Sequence, residues 1–129
     1  MPFDLEDPAT SIAVVGATDD LSKYGGRIYR DLKAKGFRVY PVNPGRDVIA
    51  GDRAYHSLAD IEEPPTIVDI VVPPPVTLRV LEDCATLGLR NVWVQPGAED
   101  AAVLAALEEG DFDYRAGGPC IMVETRRVS

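Results

Sequence analysis

Apolar positions along the chain alternate between two patterns. Short β-branched runs, "SIAVVG" at 11–16, "FRVYPV" at 37–42, "IVDIVV" at 67–72 and "NVWVQ" at 91–95, read as strands. A helical pattern runs from about Tyr24 to Lys35 and stops at Gly36, a natural C-terminal cap. Val76, Val80, Cys84 and Leu87 recur at helical spacing within 75–87, and Gly88 ends that pattern. An Ala-rich helix at 99–109, with Val103, Leu104 and Leu107 on one face, leads to a fifth strand, "FDYRA", at 112–116. Residues 47–66 form a Gly- and Pro-punctuated excursion with one short helix near Leu58 to Ile61.

Strands that alternate with helices and are apolar almost throughout imply a mainly parallel sheet covered on both faces, because each crossover helix packs back onto it. The expectation is an α/β, Rossmann-like, doubly wound sheet of about five mainly parallel strands with helices on both faces. At 129 residues, 46% of them hydrophobic, the chain has material for one domain over 1–129, with residues 1–10 as an N-terminal arm.

Charge narrows the partners. Thirteen Lys and Arg against 21 Asp and Glu give a net charge of −8, the reverse of a nucleic-acid footprint. No stretch approaches the ~20 apolar residues of a membrane span, and the acidic start "MPFDLEDPATS" is unlike a signal peptide. The expectation is an acidic cytoplasmic protein. Cys84, Cys120 and the single histidine, His56, have no metal-ligand spacing, so reduced thiols are the default.

Ligands of open parallel sheets lie beyond the carboxyl ends of the strands. Four such ends carry unusual residues. After the first strand come Gly16, Ala17 and Thr18, then Lys23, Tyr24 and Gly25 at the helix start, a place for a phosphate against backbone amides and a mobile cation. Asp19 and Asp20 oppose that reading unless they turn outward as turn or capping residues. The loop fails the G-x-G-x-x-G dinucleotide pattern, with Thr18 and Leu21 in the later glycine positions. The second end offers Asn43, Pro44 and Arg46. It has no carboxylate for an unmodified ribose, but an arginine suited to a phosphorylated one, as in coenzyme A or NADP; Arg46 reads equally as a solvated turn residue. Pro73, Pro74 and Pro75 form a stiff wall without donors, and Gln95, Pro96 and Gly97 close the fourth end with an amide side chain and an approachable backbone. Trp93 is expected in the core. No Ser-His-Asp set is present, His56 reads as an exposed loop residue, and Cys120 reads as a buried small hydrophobe or, after its glycines, a reactive thiol.

Taken together, "VVGAT" at 14–18 with Lys23, Gly25 and Gly26, "VYPVNP" at 39–44, "IVDIVVPPP" at 67–75, "VWVQPGAED" at 92–100 and "GGPCIMVE" at 117–124 resemble the stand-alone CoA-binding domain proteins. Their fold is similar to the N-terminal domain of the succinyl-CoA synthetase α subunit and of NDP-forming acyl-CoA synthetases. The resemblance covers about residues 8 to 125. It implies a bound coenzyme A or acyl-CoA, with phosphates near Gly16, Ala17, Thr18 and Lys23, the 3′-phosphate near Arg46, and Pro73, Pro74, Gln95 and Pro96 along the rest of the groove. The expected role is a non-catalytic sensor, carrier or detached synthetase subunit. A second copy or a partner enzyme subunit is left open, and ligase activity is not expected of it alone. The competing expectations are an NADP-binding oxidoreductase and CoA-linked redox control through Cys120.

Overall fold

The computed structural model describes residues 5–126. Its elements are β1 (Ser11–Val15), α1 (Tyr24–Ala34), β2 (Arg38–Val42), β3 (Val48–Ile49), β4 (Asp52–Arg53), a 3-10 turn at Leu58–Asp60, β5 (Ile67–Ile70), α2 (Pro74–Leu87), β6 (Asn91–Val94), α3 (Ala101–Glu109), β7 (Asp113–Arg115) and α4 (Ile121–Glu124). The main sheet has five strands in the order β2-β1-β5-β6-β7, every neighbouring pair parallel. The α/β, Rossmann-like architecture expected from the strand and helix pattern is the one found.

Alternation along the strands splits the core into two layers. Ala13, Val15, Val68, Ile70, Val92 and Val94 pack under α2 and α3 with Val80, Leu81, Cys84, Val103 and Leu107. Ile12, Val14, Ile67 and Trp93 face α1 and α4 with Ile28, Tyr29, Leu32 and Ile121. The described part of the N-terminal arm places Leu5 against that second layer.

The buried faces of two helices differ from the sequence expectation. Helix α2 buries Thr77, Val80, Leu81 and Cys84, while Val76 and Leu87 are 38% and 42% exposed. Val76 is open because it borders a groove, described below. In α3 Leu104 likewise stays exposed beside buried Val103 and Leu107. Asp100 caps α3 by accepting the Val103 amide at 2.9 Å. Replacing it with alanine is expected to cost about 1 kcal/mol in a urea unfolding titration, because that amide loses its acceptor.

The excursion holds a feature the sequence did not announce. β3 and β4 form an antiparallel hairpin whose turn residues, Ala50 and Gly51, have φ of 52° and 80°. Alanine is held in that left-handed conformation by a distant residue: Asp19 Oδ1 accepts the Ala50 amide at 2.8 Å.

Candidate functional site

In the order β2-β1-β5-β6-β7, successive crossovers leave β1 in opposite directions, so a crevice opens beyond the carboxyl ends of β1 and β5. A cavity of about 330 Å³ occupies it, lined by Gly16, Val42, Asn43, Pro44, His56, Leu58, Val72, Val76, Arg79 and Val80, among others. A second, of about 290 Å³, lies over Tyr24, Val71, Val72, Pro73, Pro74, Pro96 and Gly97. They share Val72, and together form one groove across the sheet's end. A larger hollow, about 430 Å³, lies beside the edge strand β7 over Trp93, Tyr114 and Pro119, away from that crevice.

The first loop is shaped by two close backbone approaches. Gly16 turns off β1 at φ +104°, and a Cβ there would meet the Val71 carbonyl oxygen at 2.6 Å. A Cβ on Gly25 would lie 2.0 Å from the Gly16 carbonyl oxygen, so this glycine lets α1 start directly against the strand's end. No side chain caps that helix, and the first intrahelical bond runs from the Arg27 amide to the Lys23 carbonyl. The amides of its first turn, with the positive end of its dipole, are thus left for an anion. Helix α2 begins differently. Pro74 and Pro75 carry no N–H, and the Val76 and Thr77 amides bond back to the Pro73 carbonyl at 2.9 and 3.0 Å. Its start is a donor-free wall, as the three prolines led us to expect.

The acidic pair in the loop is occupied in building it. Asp19 pairs with Arg46 at 3.5 Å and Arg30 at 3.8 Å besides holding Ala50. Asp20 accepts from the Ser22 hydroxyl and amide, which hold its carboxyl below the usual value. Asn43 ties two strand ends together: its Nδ2 donates to the Ala17 carbonyl and its Oδ1 accepts the Gly45 amide, both at 2.9 Å.

Of the residues singled out in the sequence, Gly16, Asn43 and Pro44 line the first cavity, and Tyr24, Pro73, Pro74, Pro96 and Gly97 the second. Ala17 is buried in the core, Thr18 accepts the Asp20 amide, and Lys23 and Arg46 stand exposed outside both linings. Gln95 departs from its expected place. Its amide is wholly buried, donating through Nε2 to Asp69 Oδ1 and accepting the Ile121 amide at 3.2 Å. Strand alternation explains it, since Gln95 shares the inward face of Trp93. His56 is exposed, with Nε2 2.8 Å from Asp47 Oδ1, yet it also reaches the cavity wall.

Arg79 was missed. It belongs to a ridge, Val76, Arg79, Val80 and Asp83, that lines the first cavity at i, i+3, i+4 and i+7, a spacing visible in the sequence. Neither Arg79 nor Lys23 makes an ion pair or a side-chain hydrogen bond among the described residues.

Asp69 is fully buried beneath this end of the sheet, and burial pushes its carboxyl up to about 8 against the downward pull of Gln95. Its Oδ2 has no partner. The Cys120 thiol in the same cluster, together with burial, raises the Tyr24 phenol above its usual value; the Asp69 charge adds to this. Among the described residues no group of three His, Cys, Asp or Glu is placed to hold a metal, and no helix is long and apolar enough to cross a membrane.

A crevice at the switch point of a parallel sheet, with an uncapped helix on one side and unpaired cations beside an apolar trough, defines an α/β module whose groove lies at the carboxyl end of the sheet. The chain belongs to the CoA binding domain family, whose model matches residues 10–126. It is 38% identical over 84 residues to an ADP-forming acetate–CoA ligase of Methanocaldococcus jannaschii, a match covering 65% of this chain and 12% of that protein. It therefore spans a small part of the ligase's length. Among solved structures, a conserved hypothetical protein of Pyrococcus furiosus superposes with a TM-score of 0.85 at 41% identity, over 90% of this chain and 99% of that one. The dinucleotide-forming acetyl-coenzyme A synthetase 1 of Ca. Korarchaeum cryptofilum, in complex with phosphate and ADP, gives 0.74 at 30% identity, over 90% of this chain and 27% of that one.

Proposed function

We propose that the chain binds coenzyme A or an acyl-CoA in this groove and acts as a binding module, a sensor, carrier or detached subunit of an acyl-CoA synthetase-like system. The observation that carries the reading is the pair of unpaired cations, Lys23 and Arg79, near a groove in a protein of net charge −8. A bare cation beside a cavity on an acidic protein is matched by a polyanion. The pyrophosphate lies at the start of α1, near Gly16 and Lys23. The adenosine and its ribose phosphate lie in the first cavity by Asn43, Pro44, His56 and Arg79. The pantetheine arm crosses the proline wall toward Pro96 and Gly97. Arg46 faces the same ribose phosphate from outside the cavity, in competition with its bond to Asp19.

Calorimetric titration with CoA, dephospho-CoA, NADP and NAD tests this. CoA is expected to bind, and Arg79→Glu to weaken it about tenfold or more while weakening dephospho-CoA distinctly less. NADP binding more tightly than CoA would replace the reading with that of an NADP-binding protein. Equal losses for CoA and dephospho-CoA would remove Arg79 from the ribose phosphate.

A further inference from the structure

We propose that Asp83 reads the base of the bound nucleotide, accepting the exocyclic amine of adenine at the far end of the groove and so selecting nucleotides whose base carries a free amine there. The inference rests on the CoA reading above and deepens it, by naming the residue that chooses the base.

The groove does not stop at the first cavity. A smaller cavity of about 140 Å³ continues it, lined by Ser57, Ala59, Asp83, Thr86 and Leu87. Ser57 and Asp83 belong to both linings and so mark the junction. On the near side of that junction Leu58, Val72, Val76 and Val80 make an apolar wall, suited to the face of a flat ring. At the junction itself the wall turns polar, as the edge of a purine requires.

Three polar side chains stand there, and two already donate to the protein. The Ser57 hydroxyl donates to Asp60 at 3.2 Å, and the Thr86 hydroxyl donates to the Glu82 carbonyl at 3.0 Å. Asp83 makes no ion pair and no side-chain hydrogen bond among the described residues. That is informative because Arg79 lies four positions earlier on the same helix, a spacing at which opposite charges commonly pair. Asp31 and Lys35 use the same spacing and pair at 2.6 Å. Arg79 and Asp83 both line the first cavity and leave each other alone.

A guanidinium and a carboxylate held apart on one cavity wall match a ligand with an anion at one end and a hydrogen-bond donor at the other. The ribose phosphate takes Arg79, and the amine of adenine takes Asp83 one turn further along α2. Without such a donor the carboxylate only repels the phosphates of a polyanion. With it, the bond has an ionised acceptor and is stronger than one between neutral groups.

Calorimetric titration of the full chain with CoA and with etheno-CoA, in which a two-carbon bridge removes the amine hydrogens of adenine, tests this. The two ligands carry the same phosphates, so repulsion by Asp83 cancels in the ratio of their affinities. Wild type is expected to bind CoA about tenfold more tightly than etheno-CoA. Asp83→Leu keeps the branched outline of the side chain without its acceptor, and the ratio is expected to fall close to one. Asp83 is exposed on α2, so the variant is expected to keep the wild-type circular-dichroism spectrum. A preference for CoA that survives undiminished in Asp83→Leu is exclusion of the bridge by shape and would overturn the inference, as would equal affinities in wild type. Either result leaves the CoA reading standing. No binding of CoA to wild type would overturn both.

Discussion

Asp69→Asn is expected to stabilise the protein by about 3 kcal/mol at pH 9 and to change it little near pH 4. The Asp69 carboxyl is raised from 3.8 to about 8 by burial in the folded chain. Between those values the folded state keeps a proton that the unfolded state releases, so wild-type stability falls as pH rises through that window. Below it both states are protonated and the penalty is absent; above it the full cost is carried. About four pH units at about 1.4 kcal/mol each set a ceiling near 6 kcal/mol, which relaxation around the carboxylate reduces. Asparagine keeps an oxygen for Gln95 Nε2 and never ionises. Other carboxylates, such as Asp52, which Lys33 and Tyr29 hold below the usual value, titrate alike in both proteins and cancel in the difference. Urea unfolding of the pair from pH 4 to 9 measures it, and a difference that stays flat with pH would refute the assignment.

Gly25→Ala is expected to be the more damaging of two similar-looking changes. The new methyl would sit 2.0 Å from the Gly16 carbonyl oxygen, backbone that no rotamer change can move aside. Helix α1 would have to retreat from β1, costing about 3 kcal/mol and about 10 °C in melting temperature. The start of α1 would move with it, so CoA-induced thermal stabilisation should shrink as well. Gly45→Ala is the control, since its Cβ would meet only Asn43 Oδ1 at 3.5 Å, an ordinary contact. Circular-dichroism melts of the two within about 2 °C of each other would show that the close approach is not needed.

Much of this architecture was legible because local signals agreed with the global fold. The β-branched runs, Gly36 and Gly88 mark where strands and helices begin and stop, and β1, β2, β5, β6 and β7 lie within the expected stretches. The β3–β4 hairpin was not legible. Its strands have two residues each, and its turn begins with an alanine whose positive φ depends on Asp19, 31 positions earlier. The candidate site shows the same division. Glycines and prolines at strand ends flag the groove because backbone geometry is a local property. Which side chains face it is decided by strand alternation and helix phase, which turn Gln95 inward and bring Arg79 to the wall. Arg46 was visible as a cation after a turn, but its bond to Asp19 depends on how two loops meet.

Trp93, the chain's only tryptophan, donates its indole N–H to the Pro119 carbonyl at 3.1 Å, one residue before Cys120. That gives the protein a built-in optical reporter. Any shift of the 117–120 segment changes the polarity around a single fluorophore, so emission wavelength and quenching can follow movement of that segment in real time without a label.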